Sequence, residues 1–170
     1  MPQGSVLGPL LFNLFTNDLP LHITNTKVVC ELFADDNSIH SCGTDVESIQ
    51  CSLQEDLNDV SKWCHENSTV IHPGKTKSMV LASRQKHQRK PLMLKLTLGA
   101  NLIEQVREYR VLGVTLDEEL KWLSHINTVG KKFARNLFLL GQLKHYVSID
   151  CRKMIFKAHL LAQINYASSL

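Results

Sequence analysis

Apolar and polar residues alternate in blocks along the chain, and the period of each block predicts an element. Residues 28–34 form a strand-like apolar run, and a second strand-like run follows over residues 37–41. A short polar break between two such runs is typical of a tight hairpin, and Asp and Asn suit its turn. The pattern therefore predicts a β-hairpin that carries two adjacent acids, Asp35 and Asp36, at its tip.

Helical spacing of apolar residues flanks this hairpin on both sides. Apolar positions over residues 7–15 fall on one face and predict a short helix. After the hairpin, Thr44-Asp45-Val46-Glu47 has the form of a capping box and predicts the start of a longer helix, which extends to about Trp63. Two more helices are predicted near the C-terminus, from about His125 and from Ile149. Ser148 is the expected N-cap of the second one.

Between these helices, short apolar runs predict strands at residues 78–81, 92–98, 101–106 and 109–116. The second and third of them flank Gly99-Ala100 and predict another hairpin. Gly113, inside the last run, indicates a bulge or a close neighbour. The polar, basic run 83–91 is predicted to be an exposed loop. These elements together predict an α+β fold.

Composition indicates an ordinary globular domain. The chain has 170 residues, of which 44% are apolar and 21% are charged, and such a length can bury a sizeable core. No apolar run is long enough to span a membrane, and the start at Met1 does not have the pattern of a signal peptide. Five cysteines without a Cys-x-x-Cys pair favour reduced, mostly buried thiols over disulfides or zinc. We therefore expect an intracellular protein without a membrane partner.

Charge is distributed unevenly between the two halves of the chain. Residues 1–70 hold two basic residues and ten acids, a formal charge of −8, whereas residues 71–170 hold seventeen basic residues and six acids, a charge of +11. An acidic region can collect cations, and a basic one can follow a phosphate backbone. The alternative is that the two regions only neutralise each other.

The two acids of the predicted hairpin tip have two interpretations. Carboxylates in an exposed turn should stay ionised and can supply oxygen ligands to a hard cation such as Mg²⁺. Adjacent acids in a turn can equally be solvated residues without a further role. These residues by themselves leave both interpretations open.

Four segments in order resemble the reverse transcriptase of non-LTR retrotransposons, the LINE type. Residues 2–12 resemble its motif B, and Phe33-Ala34-Asp35-Asp36 resembles its motif C. Lys75-Thr76-Lys77 is similar to motif D, although His72 stands where many relatives carry Asn. Residues 109–114 are similar to the primer-grip motif E, although Val111 replaces an aromatic residue.

The resemblance implies a role for each of these segments in joining a deoxynucleotide to a primer 3′ hydroxyl. Asp35 would be the main metal ligand with Asp36 in support, and Lys75 would lie near the triphosphate. The other implied contacts are substrate contacts by Gln3 and Gly4, and nucleic-acid contacts by Leu112, Gly113, Lys131, Lys132 and Arg135. The implied cofactor is Mg²⁺, and the implied partners are an RNA template, a DNA primer and a deoxynucleoside triphosphate.

The resemblance also implies an incomplete right-hand polymerase. Residues 1–116 would form part of an antiparallel palm sheet with packed helices, and residues 117–170 would form helices of the thumb. In relatives the metal-binding aspartate of motif A and the fingers precede motif B, so we expect the chain to be inactive by itself. We also expect an unpaired sheet edge that favours self-association. The alternative function is a non-catalytic remnant that at most binds nucleic acid through its basic half.

Overall fold

A computed structural model describes residues 4–23, 28–89, 92–166 and 168 of the chain. The helices of these residues are α1 (Gly8–Thr16), α2 (Leu19–His22), α3 (Val46–Glu66), α4 (Arg84–Arg89), α5 (Leu123–Gln142), α6 (Ile149–Ile155) and α7 (Ala162–Asn165). A 3₁₀ turn spans Leu143–His145, and a π-helical segment spans Phe156–Leu161. The strands are β1 (Val28–Phe33), β2 (Asp36–Ser41), β3 (Lys77–Ser78), β4 (Thr97–Leu98), β5 (Asn101–Leu102), β6 (Glu104–Gln105), β7 (Glu108–Val111) and β8 (Val114–Asp117).

The chain divides into two compact units. The first unit comprises residues 1–80 and 84–106, and the second comprises residues 81–83 and 107–170. The mixture of helices and strands confirms the predicted α+β class. The expected antiparallel sheet is not continuous, because the strands described here form separate two-stranded ladders, of which β3–β6 is parallel.

The first unit is built around the apolar face of α3. One cluster packs Val60 and Trp63 of α3 on Leu19 of α2, with Leu32 and Ile39 of the β1–β2 hairpin against it. A second cluster packs Leu57 on a row of buried residues from the segment that follows α4, namely Leu94, Leu96, Leu98 and Ile103. Helix α3 therefore fixes the hairpin on one side and this extended segment on the other.

Helix α3 begins one residue later than the capping box predicts. Asp45 is the N-cap, and its carboxylate accepts a hydrogen bond from the backbone N–H of Ser48 at 2.9 Å. The prediction that Thr44 would cap this helix is wrong, since Asp45 offers a charged acceptor to the positive end of the helix. The helix extends to Glu66, beyond the predicted end at about Trp63.

Most of the segment 92–98 is extended without being a strand, which corrects the prediction. Glutamine side chains take the place of a neighbouring strand: Gln54 accepts from the backbone N–H of Thr97 at 2.8 Å and donates to its carbonyl at 3.0 Å. Gln105 does the same for Leu94 N–H and Leu92 carbonyl, both at 2.8 Å. The alternation of buried leucines produced a strand pattern because the segment covers α3, although only Thr97–Leu98 pairs as a strand.

In the second unit, the predicted single strand 109–116 is a hairpin. Strands β7 and β8 pair antiparallel from Glu108↔Asp117 to Val111↔Val114, with Leu112 and Gly113 as the turn. Helix α5 follows, and α6 begins at the predicted cap, where the Ser148 hydroxyl accepts from Cys151 N–H at 3.3 Å. Continuous apolar character concealed the turn, since only Gly113 marks it in the sequence.

Two smaller predictions are also corrected. Residues 84–89 form the short helix α4 rather than a loop, although its side chains are polar and all but His87 are exposed, as expected. The five cysteines are free, but Cys42, Cys51 and Cys151 are exposed rather than buried. In the described part of the chain, no helix is both long and apolar enough to cross a membrane.

Candidate functional site

The two acids lie at the tip of the β1–β2 hairpin, as the pattern predicts. The strands pair antiparallel from Val28↔Ser41 to Phe33↔Asp36, so that Ala34 and Asp35 are the two loop residues and Asp36 begins β2. Ala34 has a φ of +53°, in the left-handed region that suits the first position of a tight hairpin turn. This conformation costs an alanine about 1–2 kcal/mol. The hairpin holds that strain beside the acids.

The hairpin has one face on α3 and one face open. Leu32 and Ile39 point toward Trp63, whereas the cross-strand pair Phe33 and Asp36 lies on the opposite face, where Phe33 is 64% exposed. Asp35 and Asp36 are both exposed. Accessible carboxylates fit a hard divalent cation, and these two residues would supply part of its ligand set. Among the described residues, no group of three or more His, Cys, Asp or Glu side chains could hold a metal.

Cys30 supports the turn from the inner face of the hairpin. Its thiol donates to the side-chain oxygen of Asn37 at 3.2 Å. Burial raises the pKa of the Cys30 thiol, and the negative charges of Asp56 and Glu31 raise it further. The thiol therefore stays protonated as a donor and holds Asn37, the residue that follows Asp36. The sequence does not indicate this role, because a cysteine within an apolar strand has no pattern that distinguishes it from a packing residue.

The N-terminal candidates are only partly described. Gln3 lies outside the described residues. Gly4 has a φ of +88°, and an added Cβ would meet no atom within 4 Å. A glycine is therefore favoured at this position by the backbone conformation and not by a lack of room for a side chain. Helix α1 begins at Gly8, whose N–H donates to the Ser5 hydroxyl at 3.0 Å, and Phe15 of α1 packs on Trp63 with ring centroids 5.5 Å apart. The predicted short helix over residues 7–15 is confirmed.

Lys75 lies in the turn that follows α3, in the same unit as the hairpin. Its N–H donates to the His72 carbonyl at 3.1 Å, and Thr76 N–H donates to the same oxygen at 3.2 Å. Lys75 is exposed, while Lys77 forms an ion pair with Glu104 at 2.6 Å between β3 and β6. Lys77 therefore helps to hold the β3–β6 ladder, and Lys75 lies at the surface.

The remaining candidates belong to the second unit. Leu112 and Gly113 form the β7–β8 turn with φ values of +47° and +88°. Both values are positive, as a type I′ turn requires. The neighbour predicted for Gly113 is Tyr166, whose ring carbon Cε1 would lie 3.5 Å from an added Cβ. On α5, Lys131, Lys132 and Arg135 are exposed.

An acid that sequence analysis did not identify organises the loop between β8 and α5. The carboxylate of Asp117 accepts from the backbone N–H groups of Glu119, Lys121 and Trp122 at 3.1, 3.0 and 2.7 Å. The hydrogen bond from Lys121 is the largest cause that lowers the pKa of Asp117, with partial desolvation opposing it. Leu120 and Trp122 have positive φ values of 53° and 62°, which this carboxylate stabilises.

Comparison with known proteins points to one family. The family model for reverse transcriptase (RNA-dependent DNA polymerase) matches residues 1–116. The chain is 27% identical over 174 residues to the RNA-directed DNA polymerase from mobile element jockey of Drosophila melanogaster, covering 98% of this chain and 18% of that relative. It is 25% identical over 175 residues to the retrovirus-related Pol polyprotein from type-1 retrotransposable element R1 2 of Nasonia vitripennis, covering 99% and 42%.

A second jockey polymerase, from Drosophila funebris, is 26% identical over 175 residues, with 98% of this chain and 19% of the relative covered. The chain thus spans about a fifth of the length of the jockey relatives and less than half of the Nasonia relative. No solved structure matches the chain.

Proposed function

Because this chain belongs to the reverse transcriptase family of RNA-dependent DNA polymerases, we propose that it is part of an enzyme that extends a DNA primer along an RNA template. The resemblance drawn from its motifs to the enzymes of non-LTR retrotransposons is confirmed by the family match and by the relatives from mobile elements. The observation that carries the proposal is the β1–β2 hairpin, which presents Asp35 and Asp36 at a strained, exposed tip.

Asp35 and Asp36 would hold Mg²⁺ at this tip, Asp35 as the main ligand and Asp36 in support. The ions would stabilise the attacking and leaving oxygens of the displacement at the α-phosphate. The hairpin contributes rigidity: pairing across Phe33↔Asp36 fixes the start of β2, and the Cys30–Asn37 hydrogen bond fixes the next residue. A carboxylate held in place before the cation binds loses less entropy on binding.

The exposed amine of Lys75 is suited to bind the triphosphate and to donate a proton to the leaving oxygen. Its backbone is fixed by the bond to the His72 carbonyl, while the neighbouring Lys77 pairs with Glu104. At the N-terminus, Gln3 and Gly4 would contact the incoming nucleotide or the template, since a glycine at positive φ permits close approach of a ligand to the backbone.

The second unit would hold the nucleic acid. The turn formed by Leu112 and Gly113 would position the primer end, and the exposed cations Lys131, Lys132 and Arg135 on α5 would bind the duplex through its phosphates. In this proposal, residues 1–116 form a partial palm and residues 117–170 form thumb helices.

The two acids at the tip are only part of the proposed ligand set, because Mg²⁺ binds tightly only when its octahedral coordination is nearly complete. We propose that a third carboxylate comes from a segment outside these 170 residues, and that the chain is inactive without it. Strand β1 pairs only with β2 among the described strands, so its other edge would receive that segment or, in its absence, a second copy.

Nucleotide-dependent binding tests this function. Purified residues 1–170 should bind a labelled RNA–DNA primer-template, and with a divalent cation the complementary deoxynucleotide should raise the affinity more than a non-complementary one. Asp35→Asn should remove this difference, whereas Glu55→Gln, at an exposed acid of α3, should not. Binding that ignores the nucleotide would instead favour a remnant that only holds nucleic acid.

Primer extension with the same protein tests whether the chain is inactive by itself. We expect no DNA synthesis on the RNA template. Mg²⁺-dependent synthesis that Asp35→Asn abolishes would contradict the proposed incompleteness of the metal site, while leaving the enzyme class intact.

A further inference from the structure

Tyr166 contacts the β7–β8 turn, although 54 residues separate it from Leu112 in the sequence. Its hydroxyl donates a hydrogen bond to the backbone carbonyl of Leu112. Its ring lies beside Gly113, where an added Cβ would be 3.5 Å from ring carbon Cε1 and 3.7 Å from the hydroxyl oxygen. One side chain therefore touches both residues of the turn.

This turn needs support from outside its own hairpin. Leu112 and Gly113 both have positive φ, and a leucine resists that conformation because its Cβ approaches the backbone. The Leu112 carbonyl lies beyond the last paired residues, Val111 and Val114, so the ladder does not hold it. The Tyr166 hydroxyl supplies the hydrogen bond that the strands do not provide.

The helical part of the second unit determines where Tyr166 lies. Tyr166 follows α7, which continues the π-helical segment Phe156–Leu161. A π-helical turn contains an extra residue and so changes the direction in which all later side chains point. Leu160 within this segment is 1% exposed, and the ring of Phe156 packs on Phe133 of α5 with centroids 6.5 Å apart. The packing of this segment thus fixes the direction of Tyr166.

We propose that Tyr166 is a positioning residue that holds the Leu112–Gly113 turn in the shape that receives the primer end. This inference rests on the proposed function, which places that turn against the primer. Tyr166 touches no reacting atom and acts through the Leu112 carbonyl. Its hydroxyl, rather than its ring alone, carries the effect, so the variant Tyr166→Phe separates positioning from packing.

The first test measures the turn directly, in residues 1–170 without nucleic acid. The amide of Gly113 belongs to the same peptide group as the Leu112 carbonyl, so loss of the hydrogen bond should shift its NMR resonance. This shift should appear in Tyr166→Phe, which lacks the hydroxyl that donates to the Leu112 carbonyl. Tyr146→Phe, which alters a tyrosine of the same unit that is 85% exposed, should leave the Gly113 amide unchanged.

The second test places a photoreactive thiothymidine at the 3′ end of the primer and maps its crosslinks. In the wild type we expect crosslinks at residues 112–113. In Tyr166→Phe the yield at these residues should fall at least about fivefold, while the dissociation constant of the primer-template stays the same because the phosphate contacts remain. Tyr146→Phe should behave as the wild type.

The two measurements separate the possible failures. An unchanged Gly113 amide in Tyr166→Phe overturns the inference whatever the nucleic acid does. In a second outcome, the Gly113 amide changes in Tyr166→Phe while the primer end of the wild type crosslinks to residues other than 112–113. That result contradicts the proposed primer contact, and with it the role of Tyr166 toward the primer. Equal crosslinking at the turn in the wild type and Tyr166→Phe shows that the hydroxyl only stabilises the fold, which also overturns the inference.

Discussion

At the scale of single residues, the backbone of Ala34 distinguishes this hairpin from an ordinary polar turn. Its φ of +53° places an alanine where glycine is usual, directly before the two acids. Strained residues of this kind persist at functional sites because the surrounding structure holds them there. Here two features provide that support. Strands β1 and β2 pair up to the turn, and Leu32 and Ile39 of these strands pack on α3.

Ala34→Gly should therefore raise the free energy of unfolding of the first unit by about 0.5 kcal/mol, because the relief of left-handed strain exceeds the entropy that glycine adds to the unfolded chain. Ala100→Gly is the matched control: Ala100 also lies in a hairpin turn, between β4 and β5, but does not have a positive φ. This control should lower stability by about 0.4–1 kcal/mol. Urea unfolding measures both changes in the free energy of unfolding. An Ala34→Gly variant that is less stable than the wild type would contradict the claim that Ala34 is strained.

The structural role of a residue could be predicted from the sequence where one local pattern dominates. The acids of the hairpin tip and the Ser148 cap were predicted because turn and cap chemistry depends on near neighbours. Thr44 was predicted in place of Asp45 because two acceptors compete for the same helix end. Tyr166 could not be predicted, since its contact with Leu112 spans 54 residues and depends on the phase of a π-helical segment.

At the scale of elements, the long helices were predicted well and the short strands poorly. Helix α3 has an apolar face that meets two clusters, so its periodicity is strong and its existence was predictable. The segment 92–98 shows strand-like alternation, yet a glutamine side chain rather than a neighbouring strand bonds its backbone at Leu92 and Leu94. The pattern of burial is visible in the sequence, whereas the identity of the hydrogen-bond partner is not.

The loop after β8 gives an element-scale prediction of pH dependence. The pKa of Asp117 is lowered in the folded chain, so its contribution to stability is fully present above its unfolded pKa of about 3.9. That contribution is lost as the pH falls through this value toward the lower folded pKa, because protonation weakens the hydrogen bonds from three backbone N–H groups. Acid should therefore loosen the loop 117–122 below about pH 4.

Asp117→Asn should lower the stability of the second unit at neutral pH and flatten its dependence on pH in this window. The backbone N–H of Trp122 donates to Asp117 at 2.7 Å. The indole N–H resonance of the same residue reports the state of the loop by NMR. Asp150→Asn, which alters an exposed acid paired with Lys153 in the same unit, is the control. An acid response of Trp122 that is the same in Asp117→Asn and the wild type would contradict the assignment.

At the scale of the whole molecule, the charges of the two units agree with their proposed roles, since the formal charge is −2 for the first unit and +5 for the second. The acidic hairpin would collect the cation, and the basic second unit would bind phosphates. The variant that combines Lys131→Ala, Lys132→Ala and Arg135→Ala should bind the RNA–DNA primer-template more weakly, whatever the nucleotide sequence of the primer-template. The slope of log affinity against log salt should become shallower by about 0.7–0.9 for each phosphate that the variant no longer neutralises.

Binding titrations at several salt concentrations measure this slope. Lys62→Ala, on α3 in the first unit, is the control and should leave the slope unchanged. A triple variant with the wild-type slope would show that α5 does not bind the phosphates.

The chain is expected to associate through the edge of β1 that no described strand pairs with. An edge strand is protected by a charged side chain, so Val29→Lys, at a half-exposed position of β1, should reduce self-association. Val70→Lys introduces the same charge at a residue of the same unit that is 92% exposed and outside the strands, and it should have no effect. Sedimentation over a range of concentrations compares them. A wild-type chain that stays monomeric throughout would contradict association through this edge.

The central claim is that Asp35 and Asp36 hold a divalent metal ion at the hairpin tip. Paramagnetic broadening by Mn²⁺ tests it most directly, because each backbone amide of residues 1–170 reports its own distance from the bound ion. We expect the amides of residues 34–37 to broaden at lower Mn²⁺ concentrations than those at the exposed acids Glu31 and Glu55, and the combined Asp35→Asn and Asp36→Asn variant to lose this preference. Equal broadening at all exposed acids, or a preference that survives in this variant, would contradict the claim.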